Sequence, residues 1–513
     1  MNLSLLILVP ALTAFAILFC KGLKQARTIA LLGSTIQFIL AFILLVNYWN
    51  ESAHVPLSFG EGSGVRQFLF QFRTTWFAPL NIEYFVGVDG ISVAMILLTA
   101  FVVLAGVLVS WKVEMLSKEF FFLLIFLSAG AYGFFISLDL FTLFFFLEVA
   151  VIPKFLLIGI WGSGKKEYSA MKLALMLMGG SALVFVGLLG VYFNSDTGNG
   201  IHTFDLLRLS QMHIPIEAQR IFFPLIFVGF GIFGALFPFH TWVPDGHSSA
   251  PTAASMFLAG ISMKLGGYGC LRVATYLMPE AAHEYSTIVI VLASIAILYG
   301  AFATMMQKDL KYINAYSSVS HCGFVLLGIG MLTKTAIVGA VMQMVSHGLM
   351  TALFFAAIGM IYDRTHTRMV AQLGGLLKIM PFICTVFFIA GLCSIGLPGF
   401  SGFVAEMTVF MGSWQHPELF YRVATILACA SIVVTAVYIL RAIGQAIMGQ
   451  PLPRTLSEGE GSIVFVDAEW HERLAAIVLI IGIVAIGVAP FWLSDLISPG
   501  TEIIMKNVLS LGF

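Results

Sequence analysis

The run Phe141-Thr-Leu-Phe-Phe-Phe-Leu-Glu148-Val-Ala-Val-Ile152 sets one carboxylate among side chains that are almost all hydrocarbon or aromatic. If the run crosses a bilayer, Glu148 lies near its centre, where an ionised acid costs at least about 3 kcal/mol on insertion scales. A charge kept at that depth is read as one that binds, relays or balances an ion. Lys264 and Glu406 sit in similarly apolar runs. Three such residues point to transport.

Composition sets the same frame. Of 513 residues, 59% are hydrophobic and 10% charged, whereas a soluble chain carries about a quarter charged residues. Basic and acidic residues balance at 26 each, so net charge argues for neither nucleic acid nor an acidic substrate. The six cysteines, Cys20, Cys270, Cys322, Cys384, Cys393 and Cys429, lie in or beside apolar segments and form no C-x-x-C pair. They read as small buried hydrophobes, not as cluster or zinc ligands.

Working outward, about fourteen runs are long enough to span, given the ~17–25 apolar residues a crossing needs. They fall near 3–20, 28–49, 89–111, 119–138, 141–161, 168–193, 221–246, 252–277, 286–306, 312–331, 335–361, 380–412, 421–447 and 474–494. The first lacks a charged start and a small-residue cleavage site, so it reads as a retained helix. The expected fold is an all-α polytopic membrane protein forming a single membrane domain. Lys and Arg concentrate in the odd-numbered connections, for example Lys21, Lys24 and Arg27 in the first and Lys165 and Lys166 in the fifth. The positive-inside rule then puts odd connections in the cytoplasm and both termini outside.

Two runs are too interrupted for plain helices: Gly234-Ala-Leu-Phe-Pro-Phe-His-Thr-Trp-Val-Pro-Asp-Gly-His247 and Ser394-Ile-Gly-Leu-Pro-Gly-Phe-Ser-Gly-Phe403. Proline and glycine at membrane depth free backbone groups, which is tolerated only inside protein or beside a wet cavity. Pro238 and Pro398 recur at matching places, which predicts two inverted five-helix repeats, each with one broken helix. The repeats are drawn at 119–277 and 286–447, with N-terminal helices at 1–118 and a last helix and tail at 474–513.

The ionisable residues divide by depth. Asp139 and Lys154 flank their spans and read as helix-end anchors. Lys172 is about a turn from the Lys165-Lys166-Glu167 connection, so snorkelling and function stay open. Glu148, Lys264 and Glu406 lie deeper and read as functional. His240, His247, His321 and His347 lie in or beside spans, and each alone would be an ordinary core residue. Beside three deep charges they become relay candidates, because imidazole titrates near pH ~6.5. Gly229-Phe-Gly-Ile-Phe-Gly234 matches G-x-G-x-x-G, but no strand precedes it, so it reads as helix-packing glycine.

Several phrases together resemble one family. Phe239-His-Thr-Trp-Val-Pro-Asp-Gly-His-Ser-Ser-Ala-Pro-Thr-Ala253, Leu258-Ala-Gly-Ile-Ser-Met-Lys264-Leu-Gly-Gly-Tyr-Gly269, Asp309-Leu-Lys-Tyr-Ile-Asn-Ala-Tyr-Ser-Ser-Val-Ser-His321, Met344-Val-Ser-His347 and Gly396-Leu-Pro-Gly-Phe-Ser-Gly-Phe-Val-Ala-Glu406 are similar to the antiporter-like membrane subunits of respiratory complex I (NDH-1). The acid at Glu406 resembles the M-type, chain 4 branch, since the L- and N-type branches carry lysine there. The resemblance implies a proton-translocating subunit of an NADH-quinone oxidoreductase in a bacterial inner membrane, beside L- and N-type neighbours. Flavin, iron–sulfur and quinone would sit in partner subunits, with no cofactor or metal in this chain. It also implies a relay through Glu148, Lys172, Lys264, His321, His347 and Glu406, with His240 and Asp139 as secondary candidates.

One position departs from the family. Its lysine five residues before the break proline is Phe233 here, and its next proline is Ala235. Two accounts stay open. Either Glu148 pairs with Lys172 or Lys264, or it stays protonated and the half-channel is altered. Rival functions are a multi-subunit cation/proton antiporter, a ferredoxin- or hydrogen-driven relative, and a non-pumping structural subunit.

Overall fold

The structure, a computed structural model, describes residues 1–54, 68–196, 200–449 and 466–509. It is built from helices because a helix satisfies its own backbone hydrogen bonds where no water can. The helices are α1 (Leu5–Leu18), α2 (Leu23–His54), α3 (Gly90–Val109), α4 (Ser117–Ile136), α5 (Leu140–Val149), α6 (Val151–Trp161), α7 (Lys166–Phe193) and α8 (Leu206–Leu209). The broken region follows with α9 (Ile216–Phe233), α10 (Trp242–Ser249), α11 (Thr252–Phe257), α12 (Met263–Gly269) and α13 (Pro279–Glu284). The remainder comprises α14 (Ser286–Met305), α15 (Leu310–Gly330), α16 (Lys334–Thr365), α17 (Pro381–Ser394), α18 (Ser401–Ser413), α19 (Leu419–Ala442), α20 (Trp470–Val488) and α21 (Phe491–Leu509).

Among the described residues, ten helices are long and apolar enough to cross a membrane. The other four expected runs are helical but differ in kind. α1 has only 14 residues, and α17 stops at Ser394 before the second break. The 252–277 run is divided by π turns at Leu258–Ser262 and Cys270–Thr275. α15 is long enough but carries Asn314, Ser317, Ser318, Ser320 and His321. α16 and α3 are buried along most of their length, whereas α2, α7 and α19 expose wide apolar faces. Those faces, with Leu32, Ile36, Leu175, Met178, Ile426 and Val433, are what a lipid-facing surface requires.

One element was absent from the all-α expectation. Residues 50–88, between the second and third expected runs, include an antiparallel hairpin of β1 (Leu69–Phe77) and β2 (Ile82–Val88). Residues 55–67 of that connection, and most of the one at 448–473, lie outside the described residues. Arg73 on β1 lies 4.1 Å over the Phe85 ring and pairs with Glu83 at 3.1 Å.

The broken helices stand where proline and glycine placed them. α9 ends at Phe233 and α10 begins at Trp242; α17 and α18 are separated by Gly396 and Gly399, both at positive φ. A further symmetry supports inversion. Asp139 caps α5 and its backbone bridges to Asp205, beyond α7. Asp309 caps α15 and bridges to Met369, beyond α16. The device is the same, but the two copies lie at opposite ends. Bonds such as Arg220–Glu284 at 2.7 Å join even-numbered connections, and Arg368 to the Ser248 carbonyl at 2.7 Å joins odd ones.

Close helix crossings use small residues. A Cβ on Gly229 would lie 2.7 Å from the Gly180 carbonyl, and one on Gly348 would lie 2.7 Å from the Gly260 carbonyl. The G-x-G-x-x-G match is therefore part of the packing of α7 on α9. The second crossing holds α16 against the π turn beside Lys264.

Candidate functional site

Lys264 lies in α12 between the two π turns and is 1% exposed. A π turn shifts helical phase, and such turns recur at functional sites. Here the ammonium folds back onto the Ala259 carbonyl of the first π turn and meets His347 Nδ1 at 2.7 Å. A cavity of about 10 Å³ borders Lys264, between Gly234 at the helix break and Cys322 and Met344. That is close to the size of one water.

From His347 the series continues across three helices. The His347 ring, on α16, stacks against the His321 ring on α15, with centroids 5.3 Å apart and planes 29° apart. His321 Nδ1 lies 3.2 Å from Glu406 Oε1 on α18. Ser394 Oγ lies 3.2 Å from His321 Nε2, and the Gln343 side-chain amide 3.3 Å from Nδ1. Nδ1–H donates to Glu406 in one tautomer, with Nε2 accepting from the serine hydroxyl; in the other, Nδ1 accepts from the Gln343 NH2 and Nε2–H donates to the serine, so these contacts accommodate both. The second break supports the acid directly. Gly396 has φ +74°, and a Cβ there would come within 2.7 Å of Glu406 Oε2. All four residues are buried, so the series carries ionisable groups from helix to helix without opening to lipid.

Glu148 is half-buried at the end of α5, and its Oε1 is enclosed without a hydrogen-bond partner among the described residues. The span breaks at Ala150 because Pro153 has no N–H for the Val149 carbonyl and its ring crowds that carbonyl. Just past the break, Lys154 is 1% exposed and its Nζ has no hydrogen-bond partner among the described residues. It lies 5.9 Å from the centre of the Phe233 ring. The helix-end anchor reading of Lys154 is therefore wrong, since an anchor must reach the interface.

Neither lysine expected beside Glu148 is there. Lys172 Nζ bonds Asp245 Oδ2 at 2.7 Å, and Tyr312 Oη donates to the same carboxylate at 3.3 Å. Lys264 is engaged with Ala259 and His347. The pairing of Glu148 with either one is corrected by these contacts.

The remaining candidates separate. His240 is buried against Phe237 and Tyr299, and His247 against Phe355, with no hydrogen bond at either ring's nitrogens. Both stay outside the hydrogen-bonded series. Asp139 accepts from the backbone N–H groups of Thr142 at 2.9 Å and Glu83 at 3.3 Å. It is a helix cap, and burial pushes its carboxyl up to about 6 against the lowering effect of those bonds. Three polar features were missed by sequence. Lys311, just outside the expected run 312–331, is buried and donates to the Ala250 carbonyl at 2.7 Å. Asp309 in an N-cap position two residues earlier was the signal that placed Lys311 inside α15. Asp245 holds Lys172, and Arg272 forms a buried ion pair with Asp89 at the start of α3. Among the described residues, no group of three or more His, Cys, Asp or Glu side chains could hold a metal ion.

Residues 137–432 match the family described as NADH:quinone oxidoreductase/Mrp antiporter, TM. The chain is 34% identical over 497 residues to NADH-quinone oxidoreductase subunit M of Rickettsia bellii, covering 95% of each. It is 34% identical over 495 residues to NAD(P)H-quinone oxidoreductase chain 4-2 of a Synechocystis strain, covering 92% of this chain and 86% of that one. Its fold matches a chain of respiratory complex I from Thermus thermophilus with TM-score 0.85 at 24% identity, over 99% of both chains. It also matches a chain of the Mrp complex from a Dietzia species with TM-score 0.78 at 21% identity, over 99% of both. The broken helices, the buried lysine–histidine–acid series and these relatives together assign the chain to the subunit M, chain 4 family of NADH-quinone oxidoreductase membrane subunits.

Proposed function

We propose that this chain moves protons across the membrane through Lys264, His347, His321 and Glu406, driven by quinone reduction in partner subunits. The observation that carries the reading is the contact series itself, from 2.7 Å at Lys264–His347 to 3.2 Å at His321–Glu406. A lysine ammonium can pass its proton to His347 Nδ1, leaving a neutral amine and an imidazolium. The stacked rings share no direct hydrogen bond, so the next step needs a ring rotation or a bridging water. His321 then delivers to the Glu406 carboxylate. Glu148 acts on the input side, where its charge state biases Lys264.

The setting proposed with it is a bacterial inner membrane, with odd connections cytoplasmic and both termini outside. The partners are L- and N-type membrane-arm neighbours, with flavin, iron–sulfur and quinone in other subunits. The chain is read as helices 1–118, repeats 119–277 and 286–447, and a terminal part 474–513. Replacing Lys264 with Ala in the whole complex is expected to abolish proton translocation while assembly persists. Normal pumping by that variant overturns the relay. The fold shared with the Dietzia Mrp complex leaves cation/proton exchange as a second reading. Sodium-dependent proton flux without redox turnover would favour it.

A further inference from the structure

We propose that Lys154 is the counter-charge of Glu148, supplied by the same broken helix in place of a cation on the facing helix at Phe233. This rests on the relay reading, and deepens it at the one position where that relay lacked a partner.

Four observations converge. First, Lys154 is 1% exposed with no hydrogen-bond partner at Nζ among the described residues, and Glu148 Oε1 is likewise enclosed and unpartnered. Second, Glu148 and Lys154 lie six residues apart on one span, Leu140–Trp161, so the cation and the acid enter the membrane on the same element. Third, the other lysines near this half of the molecule are engaged: Lys172 with Asp245, Lys264 with Ala259 and His347, and Lys311 with the Ala250 carbonyl. Fourth, Nζ stands over the face of Phe233, within the ~6 Å range of a cation–π contact. The ammonium thus occupies the space beside the residue that would otherwise bear the charge.

Helix geometry explains why the break matters. In a continuous helix, side chains six residues apart point about 120° away from each other. The bond missing at Pro153 loosens that constraint at Ala150, whose backbone stays right-handed helical, so Glu148 and Lys154 remain on one span, Leu140–Trp161. A purely structural role fits poorly. A methionine would fill the same volume without the desolvation that a buried ammonium carries. Phe233 then serves as an aromatic wall for the ammonium and keeps water from it.

The test compares three variants in inverted membrane vesicles holding the whole complex, with NADH-driven proton uptake read by a pH-sensitive dye and assembly by complex abundance. Lys154→Met is expected to cut uptake several-fold at unchanged abundance. Lys154→Met combined with Phe233→Lys is expected to recover uptake to within about twofold of wild type, since the cation returns to the same space from the other helix. Normal uptake in Lys154→Met overturns the proposal, as does a double variant no better than the single one. If Lys154→Met fails to assemble, the double variant decides. Regained assembly with uptake supports the assignment; assembly without uptake, or no assembly, makes Lys154 a packing residue and overturns it. Lys264→Ala serves as the third variant. Loss of uptake there with normal Lys154→Met sinks only the Lys154 assignment, whereas normal uptake in Lys264→Ala sinks the relay reading beneath it.

Discussion

His321 stacks on His347 with ring centres 5.3 Å apart, so two imidazoles from α15 and α16 form the hinge between the lysine and the acid. Glutamine at His347 keeps a hydrogen-bonding group beside Lys264 but cannot take up a proton at physiological pH. His347→Gln is therefore expected to slow proton-coupled quinone reduction about tenfold or more, in line with the loss of a general acid–base group. Turnover and proton uptake measured together check it, and wild-type values in both would remove His347 from the relay.

Gly396 supports Glu406 through its missing side chain. Gly396→Ala costs about 1–2 kcal/mol for a non-glycine residue in the left-handed region, and its Cβ would press on Glu406 Oε2. Gly399 also has positive φ but open space around it. Gly396→Ala is expected to impair proton uptake more than Gly399→Ala does. Equal impairment would show that strain alone, and not the contact with Glu406, limits the variant.

The Lys172–Asp245 pair is about a quarter exposed on each side, so solvent screening holds it to about 1 kcal/mol or less. Single substitutions are expected to change thermal stability little. Asp245→Asn is expected to lower uptake, and the swap Lys172→Asp with Asp245→Lys to restore part of it. Unchanged uptake in Asp245→Asn would make the pair a structural tie between α7 and α10.

Asp139 gives the chain a pH signature of stability. Its folded carboxyl is pushed up to about 6, above the unfolded value near ~3.9. The folded state therefore binds a proton that the unfolded state does not, between those two values. Stability rises as pH falls from about 7 through 6 and levels near 4, by about 2–3 kcal/mol. Asp139→Asn retains a capping side chain and is expected to flatten this slope. Thermal unfolding in detergent across that pH range reads it out, and an unaltered slope in the variant would assign the titration elsewhere.

Gly229 and Gly179 test the packing. Leucine at Gly229 would meet the Gly180 carbonyl on α7, whereas Gly179 faces open space. Gly229→Leu is expected to cost about 1–3 kcal/mol or more through overpacking, and Gly179→Leu close to nothing. Complex abundance in the membrane distinguishes them.

Much of this protein was legible in one dimension. Apolar runs of spanning length have no competing interpretation in a chain with 10% charged residues, and each expected run is helical. Glycine and proline marked both broken helices, because each residue acts on its own backbone. Lys264 and Glu406 stood out because a charge is costly in an apolar run wherever that run packs, while the family resemblance picked His321 and His347 from four candidate histidines. The hairpin at Leu69–Val88 was missed, since short alternating stretches give a weak signal inside a polar connection.

Partnership was the part that only tertiary structure decided. Lys172 is held by Asp245, 73 positions along the chain, and Lys264 by His347, 83 positions along; no local pattern specifies either contact. Lys154 was misjudged from its distance to the end of the run. Its true setting depends on the break at Ala150 and on Phe233 from a different helix. The cost of burying a charge is a property of the residue and its run, so sequence alone singled out Glu148, Lys264 and Glu406 but not Lys154 or Lys311, which read as lying at or just outside the ends of their runs. What neutralises each charge depends on which helix faces meet, and that is fixed by the packing of elements far apart in the chain.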